Sequence, residues 1–192
     1  MSMIMTVVIG TSLGVFSGYV GGKVDMFLMS FTDIFLALLS MMLLVILNTF
    51  LKPGLPTLIV VLSLFSWASV ARITRAETMS LKERDIVVAT QNLGASNFRV
   101  IVKHIIPNIL GPVIVAASLS VANAILMESS LSFLGLGVQI PRASWGSLLQ
   151  GAQAHILAYP LLAVYPGVMI LITVLSFNFM GDHMRNALDP KF

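Results

Sequence analysis

The sequence predicts an all-α, polytopic transmembrane helix bundle of about five spans, with a helix-turn-helix loop on its cytoplasmic side. Three observations carry this. Of the 192 residues, 57% are hydrophobic before glycine is counted and only 10% are charged, whereas a soluble domain carries about 25% charged residues. Mean hydropathy is +0.97. The few charges also leave long gaps: residues 1–22, 34–51, 53–71, 105–127 and 143–181 hold no Asp, Glu, Lys or Arg. About 20 apolar residues suffice for a helix to cross a bilayer. A globule of this size cannot coat itself with so few charges, so a soluble domain, a disordered chain and a nucleic-acid-binding module are all excluded. The expected surroundings are a lipid bilayer.

The elements follow in order. The expected spans lie at about 3–20, 27–48, 55–72, 106–127 and 161–180. The last gap is long enough for two spans but holds one, because Gly146, Gly151, Gln153, His155 and Pro160 suit its first half poorly to hydrocarbon. No cleavable leader is expected, since the first apolar run lacks a basic start and a small-residue cleavage site. In span one, Gly10, Gly14, Gly18 and Gly22 recur every fourth residue. Rows of small residues let helices approach closely, so a packing role is expected. Asp33 lies inside the second span. A charge deep in a bilayer costs about 2.5–3.5 kcal/mol, so this acid must face a polar partner or water. Asn123 and Asn178 are expected to bond between helices.

Orientation follows from the basic residues. Arg72, Arg75, Lys82, Arg84, Arg99 and Lys103 fall in one loop. With that loop in the cytoplasm, Lys23, Arg185 and Lys191 join it, and only Lys52 and Arg142 lie outside. Cytoplasmic loops carry the excess of Lys and Arg, so the C-terminus is expected inside and Met1 outside. That retention accounts for the net charge of +3 without an anionic partner. Five spans with an external start point to a further span upstream.

The cytoplasmic loop, 73–105, is expected to be structured. Ser80-Leu81-Lys82-Glu83 has the form of a capping box, which starts a helix near Leu81. Gly94 is a helix stop of the left-handed kind. Ser96 caps a second helix, which Pro107 interrupts. Two helices about a Gly-Ala-Ser turn make a knob that suits a cleft in a soluble partner. The outer segment, 128–160, is too polar for a span and too apolar for a free loop. Short surface helices are expected there, with Trp145, Tyr159 and Tyr165 in the interfacial aromatic belt.

Several chemistries lack their residues. There is no cysteine, and His104, His155 and His183 are far apart in the chain, so no metal site is expected. No G-x-S-x-G or H-E-x-x-H occurs, so the chain is not read as an enzyme. No phosphate-cradling G-x-x-x-x-G-K-[ST] loop occurs either, so the chain should bind no nucleotide.

The run Asn92-Leu93-Gly94-Ala95-Ser96, followed by His104-Ile105-Ile106-Pro107-Asn108, resembles the EAA loop of permease subunits in ATP-binding-cassette (ABC) importers. Gly94 and Pro107 keep that family's spacing of thirteen, and Ala89 stands at its first alanine. Val88 replaces the usual glutamate, Thr90 the second alanine, His104 an isoleucine and Ile106 a leucine. Losing the glutamate removes one polar contact to an ATPase. Ser132-Phe133-Leu134-Gly135-Leu136-Gly137-Val138-Gln139 and Ser144-Trp145-Gly146 are similar to the outer segment of dipeptide, oligopeptide and nickel permeases. So are Gly18-Tyr19, Gly21-Gly22 and Asp25, and the tail Phe177-Asn178, Gly181-Asp182, Arg185 and Ala187-Leu188-Asp189-Pro190. The resemblance covers essentially the whole chain and is to the second permease subunit, apparently short of that family's first span.

The resemblance implies a heterodimer with a homologous permease subunit, two ATPase subunits that hold ATP and Mg, and an extracytoplasmic substrate-binding protein. No cofactor is implied on this chain. It places Ser80, Glu83, Asp85, Ala89, Gly94, Ala95, Ser96, His104 and Pro107 in the ATPase-coupling loop. Glu128, Phe133, Gly135 and Gly137 become candidates for the translocation pathway or its outer gate. The substrate stays open among dipeptide, longer peptide and nickel chelate. The alternatives are an ion-gradient-driven secondary transporter and a truncated, inactive permease.

Overall fold

A computed structural model describes residues 2–37, 55–138 and 141–188. The described chain is built from helices. They are α1 (Ser2–Val20), α2 (Gly22–Ala37), α3 (Leu55–Lys82), α4 (Asp85–Asn92), α5 (Asn97–Val100), α6 (Ile106–Phe133), α7 (Trp145–Ala152) and α8 (Leu161–Leu188). A π-helical turn, Ile101–Ile105, joins α5 to α6 without a break. Among the described residues, four helices are long and apolar enough to cross a membrane: Ser2–Val20, Pro56–Lys82, Asn97–Phe133 and Leu161–Arg185. Of the expected second span, α2 covers the first part, and 38–48 lies outside the described residues. Lys52, Gln139, Asp189, Pro190 and Lys191 also lie outside them.

The tightest packing joins α1 to α3, side by side and parallel. A Cβ on Gly10 would sit 2.8 Å from the Trp67 carbonyl oxygen, one on Gly14 2.5 Å from that of Ala71, and one on Gly18 2.8 Å from that of Arg75. Hydrogen is the only side chain that fits at these three positions. Gly22 departs from the expected row. It opens α2 at φ +61°, with open space where a Cβ would stand, so the row has three members. The α3 face toward α1 buries Trp67, Val70, Ala71, Thr74, Thr78 and Leu81, at the three-and-four spacing of a helix stripe.

That stripe corrects the expected helix start at Leu81. α3 runs ten residues beyond the expected end of span three, to Lys82, and Ser80 lies inside it, exposed. The capping box does not form. A capping hydroxyl contributes about 1 kcal/mol, whereas leaving the helix at residue 72 would strip Thr74, Thr78 and Leu81 from α1. Packing wins. The next helix starts instead at Asp85, with Arg84 at its N-cap and no side-chain cap bond.

Pro107 also behaves differently from expectation. Helix continues through it, from Asn97 to Phe133. Proline lacks an N–H and its ring collides with the carbonyl four residues back. The π turn immediately before it widens the coil where room is needed. Beside the proline, the Asn108 carboxamide donates to the His104 carbonyl at 2.6 Å. The second loop helix and the fourth span are therefore one rod.

α2 leans on α3 through an aromatic group, with Phe31, Phe35 and Trp67 ring centroids 5.0–6.4 Å apart. α8 packs antiparallel on the rod, and Gly181 fits against Ser118. Asn178 buries its carboxamide oxygen without a partner, and Asn123 is exposed, so the interhelical role expected of both is not seen in their contacts. Gly14→Leu should push α1 off α3 and destabilise the fold by about 1–3 kcal/mol or more, as overpacking does. Gly167→Ala, with open space around it, should leave stability unchanged or raised. Thermal unfolding in detergent, read by loss of protease resistance, checks both.

Candidate functional site: the elbow at the basic end

The site is assembled where α1 and α3 end. α4 stops at Leu93, and Gly94 follows at φ +82°. The Gly94 amide donates to Gln91 O at 2.9 Å and the Ala95 amide to Thr90 O at 3.3 Å. This 5→2 and 6→1 pair is the Schellman ending, which needs a left-handed residue. Two residues later the Ser96 hydroxyl accepts from the Arg99 amide and starts α5. Thus α4, turn and rod form a bonded elbow with no slack residue.

Its underside is apolar and closed. Val15 and Tyr19 from α1, Leu81 from α3, Val87 from α4, and Val100, Ile105, Ile109 and Val113 from the rod form one buried cluster. Ala95 packs against it from the turn. Tyr19 sits at the centre, 7% exposed. Its hydroxyl donates to Asn97 Oδ1 at 3.0 Å and accepts from Gln91 Nε2 at 3.0 Å. Lys82 Nζ donates to the Tyr19 carbonyl at 2.6 Å and lies 5.4 Å from its ring centroid. Further back along α3, Arg75 forks onto Asp25, and Ser17 donates to the same carboxylate at 2.6 Å. These contacts knot α1, α2 and α3 together.

The outer side of the elbow is the reverse. Leu93 is 89% exposed, Phe98 77% and Ile86 70%, three large apolar side chains on one small protrusion. Glu83, Arg84, Asp85 and Arg99, close to them in the chain, are exposed as well. Large exposed apolar side chains beside charged ones make a surface that a partner can cover.

The expected loop residues distribute unevenly over this elbow. Ala89, Gly94 and Ser96 are exposed on α4 and the turn, and Asp85 opens α4. Ala95 and His104 are half-buried, the latter within the π turn. Pro107 is exposed on the rod, and Ser80 stands back on α3. Val88, in the usual glutamate position, is exposed and apolar. Thr90 turns its hydroxyl onto Ile86 O at 2.6 Å, within its own helix. Sequence reasoning missed Gln91 and Asn97. Their partner is 72 and 78 residues away in the chain, and no local pattern marks it.

At the far end of the rod the outer candidates meet around Ser132. Its hydroxyl donates to Glu128 Oε1 at 2.5 Å and accepts from the Val138 amide at 3.3 Å. Gly135 ends the rod at φ +81°, and Gly137 lies so close to Ser132 that a Cβ would overlap it. Ser144 caps α7 in a reciprocal box with Ser147. Within 128–160, where short helices at the outer surface are expected, α7 is one short helix, and 128–133 belongs to the rod. Phe133 is exposed at the rod's end. Asp33 pairs with Arg72, the polar partner it required, and the two side chains stay 60% and 55% exposed.

Known proteins share this architecture. Over 97% of its length the chain superposes on 89% of a chain from inward-facing crystals of the MetNI methionine ABC transporter, with a TM-score of 0.79 and 22% identity. The oligopeptide transport system permease protein OppC of Haemophilus influenzae is 43% identical over 187 residues, 97% of this chain and 60% of that protein. The dipeptide transport system permease protein DppC of Bacillus subtilis is 37% identical over 192 residues, 100% of this chain and 60% of that one. The glutathione transport system permease protein GsiD of Pectobacterium atrosepticum is 33% identical over 190 residues, 99% of this chain and 63% of that one. The chain thus spans about 60% of the length of these relatives. Residues 10–192 match the profile of binding-protein-dependent transport system inner membrane components, and the chain belongs to that family.

Proposed function

We propose that this chain is the membrane-spanning permease subunit of an ABC importer of peptides. It forms the pathway with a homologous permease subunit. Two ATPase subunits bind ATP and Mg and hydrolyse the nucleotide, and an extracytoplasmic binding protein delivers substrate. The chain itself carries no hydrolytic chemistry, and its C-terminus lies in the cytoplasm. The relatives named for oligopeptides, dipeptides and glutathione support a peptide substrate.

One observation carries the reading beyond family membership: an apolar-tipped elbow continuous with a membrane rod. The exposed tip, Ile86, Leu93 and Phe98, docks in a groove of an ATPase. Burying each such side chain contributes about 1.5–3 kcal/mol. When ATP closes the ATPase pair, the groove moves, and the head of the rod moves with it because the elbow's turn has no slack residue. Closure shifts the membrane state only if it favours one arrangement over the other, and a stiff elbow is what makes the two arrangements differ. A transporter driven by an ion gradient would have no use for this fusion. The departure at Val88 fits the same picture, since that position adds apolar rather than polar contact.

Two outcomes test this. The double variant Leu93→Asp, Phe98→Asp should insert normally yet lose co-purification with the ATPase and lose ATP-driven peptide uptake by more than about tenfold, the scale on which buried apolar anchors act. Retention of both would remove the docking role. A cysteine at Leu93 should react with a membrane-impermeant maleimide only from the cytoplasmic side of sealed vesicles. Reaction from the opposite side would invert the topology.

A further inference from the structure

We propose that the Tyr19 hydroxyl is a positioning group that clamps both arms of the elbow to the first span, so that displacement of the elbow reaches α1. The inference rests on the docking reading of the elbow and adds the residue through which motion leaves it. Three features of the geometry argue for it.

The first is where the partners lie. Gln91, in α4, precedes the Gly94 turn, and Asn97, at the head of the rod, follows it. One phenol bonds to both, at 3.0 Å each. It therefore fixes the opening angle of the elbow as well as its distance from α1. A tyrosine can do this because its hydroxyl both donates and accepts, and here both roles are used. Gln91 supplies an N–H and Asn97 a carbonyl oxygen, the complement of those roles.

The second is how little else holds α4. It is eight residues long, and Val87 is its one buried residue. So short a helix is not stable by itself. Gln91 gives it a second anchor, one turn further along. Removing the phenol oxygen would leave α4 attached through Val87 and its two chain connections.

The third is how firmly the clamp is seated. The ring is buried in the cluster of Val15, Val87 and Val100, and the backbone carbonyl of the same residue holds the Lys82 ammonium. The glycine row fixes α1 to α3 as far as Gly18. Tyr19 continues that attachment by one residue and turns it toward the elbow.

Tyr19→Phe keeps the ring and removes only the hydroxyl. The first arm of the test uses spin labels at Phe16 and Phe98, both exposed, in the full chain assembled with its companion permease. The interlabel distance distribution should widen about twofold in Tyr19→Phe, and an unchanged width overturns the proposal. The second arm uses the complete importer in vesicles. Co-purification of the ATPase should be unchanged and peptide uptake per ATP hydrolysed should fall about tenfold; an unchanged ratio overturns the proposal. If no ATPase associates with the parent chain, the docking reading fails, and the label arm still judges the clamp. Should Tyr19→Phe not be recovered folded, Gln91→Met removes one of the two bonds, and the same outcomes apply to it. The double variant should be no worse than Tyr19→Phe alone, since both delete the same bond, and additive losses would overturn the shared role.

Discussion

The close approach of α1 and α3 governs the rest of the fold. In a bilayer the lipid tails are as apolar as the side chains, so no hydrophobic force drives one span against another. Contact must come from shape. Gly10, Gly14 and Gly18 leave a groove along α1, into which the backbone and short side chains of α3 settle, from Trp67 to Thr78. This contact holds α3 helical beyond the expected membrane boundary. It also sets Arg75 where it and Ser17 share Asp25, and Tyr19 beside Lys82. Without the groove, the polar groups at the basic end would have nothing to register them. The elbow would then be two short helices tethered to a mobile end.

Polar contacts in this molecule are concentrated at helix ends, and their chemistry matches their depth. Arg75 with Asp25 and Lys82 with the Tyr19 carbonyl lie where α1, α2 and α3 converge. Within the spans, several side-chain hydroxyls bond back to their own helix: Thr78 to Thr74, Ser120 to Ala116, Thr173 to Met169 and Ser176 to Ile172. Such bonds satisfy a hydroxyl in a medium without water and commit no neighbour. Long-range bonds gather at the basic end, where Arg75, Lys82, Gln91 and Asn97 meet Asp25 and Tyr19, and Ser63 bonded to Ser2 joins α1 and α3 at their other end.

Much of this was legible in the sequence. Charge-free runs marked the four long apolar helices, and Gly94 and Ser96 marked the elbow's turn, because the backbone of Gly94 and the hydroxyl of Ser96 each act within four residues. The errors share one cause. Ser80 and Glu83 have the local pattern of a helix start, but Leu81 between them is buried against α1 and the rod. Pro107 has the local pattern of a helix break, but the π turn absorbs its ring. In both cases a signal worth about one hydrogen bond met a packing surface many residues long. The Tyr19 clamp was illegible for a different reason: its partners are set by the fold, and Gln91 and Asn97 look like ordinary surface amides in isolation. Asp33 was readable as a residue needing a partner, but not that Arg72 would be the one.

The rod ties the two ends of the molecule into one mechanical problem. Asn97–Phe133 is 37 residues of continuous helix, about 55 Å at 1.5 Å per residue. One end carries the elbow. The other carries Ser132, which is bonded to Glu128 and to the segment leading to α7. A straight helix of that length would transmit a tilt at one end as a displacement at the other. Two features interrupt its regular bonding, the π turn at Ile101–Ile105 and Pro112, and bends in helices concentrate at such places. Both lie nearer the elbow. The π turn, however, is braced by Ile105, fully buried in the Tyr19 cluster, so bending there requires the cluster to open. Pro112 lies beside Val113, the last member of that cluster along the rod. Beyond it the rod runs uninterrupted to Ser132. Under the proposed function, the buried cluster around Tyr19 decides whether an elbow displacement is spent in bending the rod or arrives at the outer end.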